Sequence, residues 1–307
     1  MLRKDAPPTE RVVVGFDTSD HALRALDRAA DEAVRRGAEL EIVCGWPWGP
    51  RARKSEACAA GSRRRPDETT MSDEAQMLYE AGHAVMDAAV ERVRCRFPVL
   101  RTVPHLTTEP AARALVRAGH QACLTVLGTR GHGDFTGLLL GSVSLRVAAH
   151  CTGPLLVVRG DADQSRGVVL VGLASEADTD AVRFGFAEAR QRGAVLRVLH
   201  AWHYPAMPGV LPVAELYWDD TDHQKRCEAA VPAFATAVLR EEHPDVEVRT
   251  ESVYQGAGEA LVEASAEADV VILAAHRPRH ALGLQLGPVT HSVLHHARCP
   301  VILVPVP

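Results

Sequence analysis

The residues best suited to chemistry in this 307-residue chain lie in one stretch, GTRGHGDFTGLLLGS, from Gly128 to Ser142. Five glycines, one Arg, one His and one Asp follow directly on the apolar run Leu124 to Leu127. Gly128, Gly131, Gly141 and Ser142 spell G-x2-G-x9-G-S. Glycine at the carboxyl end of a strand removes the Cβ and admits positive φ, so peptide N–H groups can close around a phosphate. Ser142 is placed to cap a helix, SVSLRVAAH, whose unpaired N–H groups and dipole would face the same anion. The pattern therefore predicts a phosphate cradle. The alternative that spacing leaves open is a glycine-rich connection with no ligand. Asp17, after the run VVVGF, reads on its own as a turn or N-cap residue.

Such a loop needs strands and helices to hold it, and the chain supplies them twice. Residues 11 to 46 run from RVVVGFDTSD to RGAELEIVCGW, and residues 167 to 202 run from GVVLVGLASE to RGAVLRVLHAW. Shifted by 146 positions, residues 106 to 158 align without a gap on 252 to 304, with 16 of 53 positions identical. That period suits two copies of one domain and is too long for a solenoid unit. Each copy alternates short β-branched runs with helical periodicity: Val12 to Phe16, a helix through Ala22, Leu26, Ala29 and Ala33, then Leu40 to Val43. A strand near Val99 to Leu106, a helix near Pro110 to His120, the strand Leu124 to Leu127, a helix from Ser142 and a strand from Pro154 complete the first copy. This order predicts an α/β fold with a doubly wound parallel sheet in each half, whose ligands sit beyond the strands' carboxyl ends at a switch in strand order.

On these residues the chain resembles the universal stress protein family in its tandem-domain form. The resemblance is carried by VVVGFDTSD, EIVCGW and GTRGHGDFTGLLLGSVS followed by GPLLVV. It implies two five-stranded, Rossmann-like domains of the adenine nucleotide alpha hydrolase type, at residues 1–160 and 161–307. It also implies ATP as ligand, with Mg2+. By resemblance Asp17 contacts the nucleoside, and Gly45 lies where backbone groups hold the adenine. Gly128, Gly131, Gly141 and Ser142 hold the phosphates, and Val143 adds its backbone. Arg130 would supply charge and Ser144 a metal-side hydroxyl. The short apolar strands PLLVV and PVILVPV imply a pseudo-dimer of the two copies within one chain, with a homodimer of the whole chain as a further expectation.

The second copy departs from the motif: Ala174 stands for Asp17, Ala274 for Gly128, Arg277 for Gly131 and Pro288 for Ser142, while Gly287 remains. A Cβ at 274 and 277 crowds the backbone approach, and proline removes an N–H but is comfortable at a helix start. One nucleotide per chain, in the first half, is the expectation. Arg277 and Arg279 are the charges left near the lost motif.

Other features read as bland. His291 and His295 have the i, i+4 spacing of metal ligands but no evident third partner, and with His296 they read as a polar helix face. The basic segment 47–70 reads as a solvated loop, Cys151 and Cys299 as small buried hydrophobes, and Asp134 as a loop residue. A net charge of −5 disfavours a general grip on nucleic acid or anionic membrane. The absence of a long apolar run or leader core, with seven scattered cysteines, predicts a cytoplasmic protein with reduced thiols. No G-x4-GK[ST], G-x-S-x-G or HExxH occurs, and the only lysines are Lys4, Lys54 and Lys225. A nucleotide-responsive stress or signalling protein with an unknown protein partner is thus preferred over a slow ATPase or a ligand-free scaffold.

Overall fold

The computed structural model describes residues 10–45, 73–131, 140–159, 165–203, 218–276 and 286–306. The loop 47–70, Asp134, Arg277 and Arg279 lie outside them. The chain divides into two compact units, Met1–Val158 and Arg159–Pro307.

In the first unit, β1 (Arg11–Gly15), β2 (Glu39–Gly45), β3 (Thr102–Thr107), β4 (Leu124–Gly128) and β5 (Leu155–Val158) are parallel and ordered β3-β2-β1-β4-β5. Helices α1 (Asp20–Arg36), α2 (Asp73–Arg96), α3 (Ala111–Gly119) and α4 (Ser142–His150) alternate with them. The chain runs outward through β2 and β3, then returns to place β4 on the other flank of β1. That reversal is the switch point at which such sheets bind ligands. Helices on both faces explain why Val12, Val13 and Val14 are successive yet all fully buried.

Helix α1 begins where the Ser19 side chain accepts the Ala22 N–H at 3.2 Å and ends at Gly37, whose φ is +62°. Alanine there would carry a Cβ in the left-handed region. Gly37→Ala is expected to cost about 1 kcal/mol of stability, read as a lowered urea midpoint with unchanged slope. The helix also carries Glu32, fully buried, which ion-pairs with Arg28 and Arg35 at 3.0 Å each and with Arg36.

The second unit repeats the plan. Strands β6 (Val168–Leu173), β7 (Val195–Trp202), β8 (Val248–Tyr254), β9 (Val270–His276) and β10 (Val301–Val306) follow the order β10-β9-β6-β7-β8, all parallel. Between them run α5 (Thr179–Arg192), α6 (Trp218–Glu242), α7 (Ala257–Ala264) and α8 (Pro288–His296).

One expected boundary moves. Val99 is not in β3; it is 97 % exposed, in a turn where the Leu100 N–H donates to the Phe97 carbonyl. β-Branching there does not signal a strand because nothing packs on the side chain.

Candidate functional site

Beyond the ends of β1 and β4 lies a hollow of about 400 Å3, walled by residues of β1, β2, α3, β4 and α4. Eight of the nine expected site residues line it: Asp17, Gly128, Arg130, Gly131, Gly141, Ser142, Val143 and Ser144. Gly45 lies outside that lining, although Val43 of the same strand is within it. A Cβ at Gly45 would come within 2.8 Å of the Ala111 Cβ and 2.9 Å of its Cα, so the missing side chain lets α3 cross close over β2.

The glycines work differently from expectation. None of Gly128, Gly131 and Gly141 has positive φ; among the described residues the positive-φ glycines are Gly37, Gly167 and Gly193. Close approach is what requires Gly128 and Gly131, whereas a Cβ at Gly141 would meet nothing nearer than 3.4 Å. A Cβ at Gly128 would lie 2.6 Å from the His21 carbonyl oxygen, so glycine seats β4 against the first turn of α1. A Cβ at Gly131 would fall on the Asp17 carboxylate. The Gly141 N–H donates to the Thr129 carbonyl at 2.6 Å, drawing the two ends of the loop together.

The helix start is also shifted by one residue. Gly141, not Ser142, is the N-cap of α4, and no side chain caps it. The first helical bond runs from the Leu145 N–H to the Gly141 carbonyl at 3.0 Å, so the N–H groups of Ser142, Val143 and Ser144 precede the ladder. A hydrophilic capping oxygen would have used one of these donors; glycine leaves them for a ligand. Ser144 does not offer its hydroxyl hydrogen to the hollow. Its buried Oγ donates to the Gly128 carbonyl at 2.8 Å and ties α4 to the end of β4.

Asp17 is held locally: its Oδ1 accepts from the Ser19 N–H at 3.1 Å and the Ser19 hydroxyl at 2.6 Å. Between them Thr18 has φ of +69°, a left-handed conformation costly for a β-branched residue. Strain of this kind persists where surrounding bonds over-determine it. Burial, with the Asp17 charge second, pushes the neighbouring Cys44 thiol up to about 11, leaving it protonated at neutral pH. Among the described residues the cysteines form no disulfide, and Cys44, Cys151 and Cys299 are buried.

Residue spacing did not point to His21 and Thr129. Thr129, buried, sits between the two glycines of the strand end, and its hydroxyl meets His21 Nδ1 at 3.0 Å. The Arg24 guanidinium donates to the same nitrogen at 2.7 Å, which makes Nδ1 an acceptor and places the ring proton on Nε2. Burial, then Arg24 and Arg130, hold the His21 pKa below the usual imidazole value. The unfolded chain therefore takes up a proton at His21 before the folded chain does. Stability is expected to fall as pH drops below about 6.5. Melting temperatures between pH 7.5 and 5 should show this, and His21→Gln should flatten the curve.

In the second unit the corresponding strand end is tied to its own side chains. The Ala174 and Ser175 N–H groups donate to Asp178 Oδ2 at 2.6 and 3.2 Å, and His276 Nε2 lies 2.6 Å from Asp178 Oδ1. Asp178 is buried, and His276 holds the position that Arg130 has in the first unit. Gly287 is again the helix N-cap, now followed by Pro288 at the first helical position.

These features define a doubly wound α/β module, twice in one chain, with an open hollow at the switch point of the first copy. The Universal stress protein family matches residues 8–159 and again 166–305. The chain belongs to that family, in tandem form. It is 29 % identical over 304 residues to a universal stress protein of Mycolicibacterium smegmatis, covering 95 % of this chain and 96 % of that one. It is 28 % identical over 308 residues to one of Mycobacterium tuberculosis, covering 96 % and 95 % respectively. A crystal structure of a universal stress protein from Archaeoglobus fulgidus DSM 4304 shares the fold at 15 % identity with a TM-score of 0.64, over 97 % of this chain and 99 % of that one.

Proposed function

We propose that the first unit binds one adenine nucleotide, ATP with Mg2+, and that occupancy governs the chain's association with a protein partner in a stress or signalling response. The observation that carries this reading is the pairing of the Gly128–Gly131 strand end with the uncapped first turn of α4 across one hollow. Its volume of about 400 Å3 lies within the range of ordinary small-ligand sites, and its apolar wall of Val43, Leu115 and Leu127 suits a base. Ser142, Val143 and Ser144 would receive phosphate through backbone N–H groups, with Arg130 adding charge and Asp17 meeting the nucleoside. Gly45 would act through its backbone, at the end of β2. Mg2+ would be held chiefly by the phosphates and water, since among the described residues Asp17 is the lining residue with a carboxylate.

Two facts favour a single site: Ala274 replaces Gly128, and Pro288 removes an N–H from the α8 start. Fast phosphoryl transfer is not part of the proposal, because among the described residues the lining has no lysine, and Asp17 is its carboxylate. No described helix is long and apolar enough to cross a membrane. A cytoplasmic setting and the pseudo-dimer belong to the same proposal, as does the homodimer, for which light scattering on the intact chain reads the mass.

The test is to denature purified protein and identify what it releases, then count sites by equilibrium dialysis with labelled ATP. One equivalent per chain is expected. Saturation at 100 times Kd should stabilise the fold by about 2.7 kcal/mol, seen as a rise in melting temperature. Two equal sites, or no shift, would overturn the reading.

A further inference from the structure

We propose that His21 is a positioning residue of the nucleotide site: through the Thr129 hydroxyl it fixes the gap between the Gly128–Gly131 strand end and the first turn of α4. The inference rests on the adenine-nucleotide reading above and concerns what holds the two halves of the cradle together. Three contacts meet at this strand end. The Thr129 hydroxyl meets His21 Nδ1 at 3.0 Å, and the Thr129 carbonyl accepts the Gly141 N–H at 2.6 Å. The His21 carbonyl lies against Gly128, where a Cβ would come within 2.6 Å of its oxygen. One residue of α1 thus holds two consecutive residues of the strand end, and Thr129 passes the hold on to the N-cap of α4.

His21 suits this task because its own ring is fixed. Arg24, one turn further along α1, donates to the same Nδ1 at 2.7 Å, so a ring that turned over would lose both bonds. The charges facing the ring are Arg24 and Asp20 on α1, Asp17 after β1 and Arg130 after β4. Burial and the two arginines outweigh the two acids, which keeps Nδ1 an acceptor at neutral pH. Peptide N–H groups hold an oxygen at about 2.7–3.2 Å, so a strand end free to drift by about 1 Å would lose phosphates shared between Arg130 and α4.

The second unit supplies the contrast. There His276, at the end of β9, lies 2.6 Å from Asp178 at the entry to α5, so strand end and helix entry are again joined. The connection does not extend to the next helix. A Cβ at Gly287, the counterpart of Gly141, would have no described atom within 4 Å, whereas at Gly141 it would meet the Arg130 Cα at 3.4 Å and the Thr129 carbonyl oxygen at 3.5 Å. The line from the first helix to the start of α4 therefore belongs to the unit that keeps the motif.

The test uses the intact chain in equilibrium dialysis with labelled ATP and Mg2+ at pH 7.5. Wild type is compared with His21→Leu, His21→Asn, Thr129→Val and the double variant of His21→Leu with Thr129→Val. Valine keeps the shape of threonine without its hydroxyl, and asparagine carries an oxygen near the place of Nδ1. His21→Leu and Thr129→Val should each weaken ATP at least about tenfold, the double variant no more than the weaker single, and His21→Asn by less than about threefold. Far-UV circular dichroism should be unchanged, and the His21 Nδ1 resonance of the ligand-free protein should move in Thr129→Val. Wild-type binding that both single variants retain, losses that add in the double variant, or an asparagine variant as weak as the leucine one would overturn this inference alone. No binding by wild type would overturn the nucleotide reading and this inference with it. If His21→Leu fails to fold, Thr129→Val and the resonance decide.

Discussion

Gly128→Ala is expected to destabilise the protein by about 2–3 kcal/mol and to remove nucleotide binding with it. The added methyl has nowhere to go: the His21 carbonyl oxygen would be 2.6 Å away, its carbonyl carbon 2.8 Å and its Cβ 3.0 Å. Two of these atoms belong to the backbone of α1, so relief requires β4 and α1 to part. That movement also breaks the Thr129–His21 contact and displaces the carbonyl that receives the Ser144 hydroxyl. A urea titration followed by circular dichroism measures the loss. The second unit carries Ala274 at the equivalent position, and it enters its helix differently, through a 3-10 turn at Glu176–Asp178.

Gly131→Arg separates binding from folding. It installs the residue that the second unit has at the equivalent place, Arg277. The new Cβ meets the end of the Asp17 side chain rather than backbone, and Asp17 is exposed and can turn aside. Stability should fall by no more than about 1 kcal/mol, through the loosened Asp17–Ser19 bonds. Nucleotide affinity should fall at least a hundredfold, about 2.7 kcal/mol, because the long side chain enters the hollow and Asp17 leaves its place. Equilibrium dialysis with labelled ATP, run beside a thermal melt, reads both quantities. Retained affinity would show that the hollow does not receive the nucleotide.

Much of this site is legible from residue order because its determinants are local. Strand ends, glycine spacing and the internal repeat each depend on neighbours in sequence, so Gly128, Gly131 and Gly141 stand out before any coordinates do. What each glycine does is another matter. For Gly128 and Gly131, whether the residue bends backward or lets something approach depends on α1 and Asp17, more than a hundred residues away in the chain, and the structure shows approach. The same holds for Ser144, whose hydroxyl is committed to a carbonyl 16 residues earlier, and for the His21–Thr129 contact across 108 residues. The N-cap moved from Ser142 to Gly141 because a serine beside glycine fits either position, and only backbone angles choose between them. Substitutions such as Ala174 for Asp17 show that a motif is gone. They do not show what the neighbouring amides bond instead, since Asp178 reaches them through a turn that spacing does not reveal.

The buried Asp178 gives the trailing half a permanent acceptor for the amides that follow β6 and ties them to its first helical turn. On the proposed reading, that half keeps one conformation whether metabolite is scarce or plentiful, while the leading half changes with it. Hydrogen exchange would then slow around α4 and stay constant around the 3-10 turn when adenine nucleotide is added, so the molecule carries its own unvarying reference against which a partner can sense the difference.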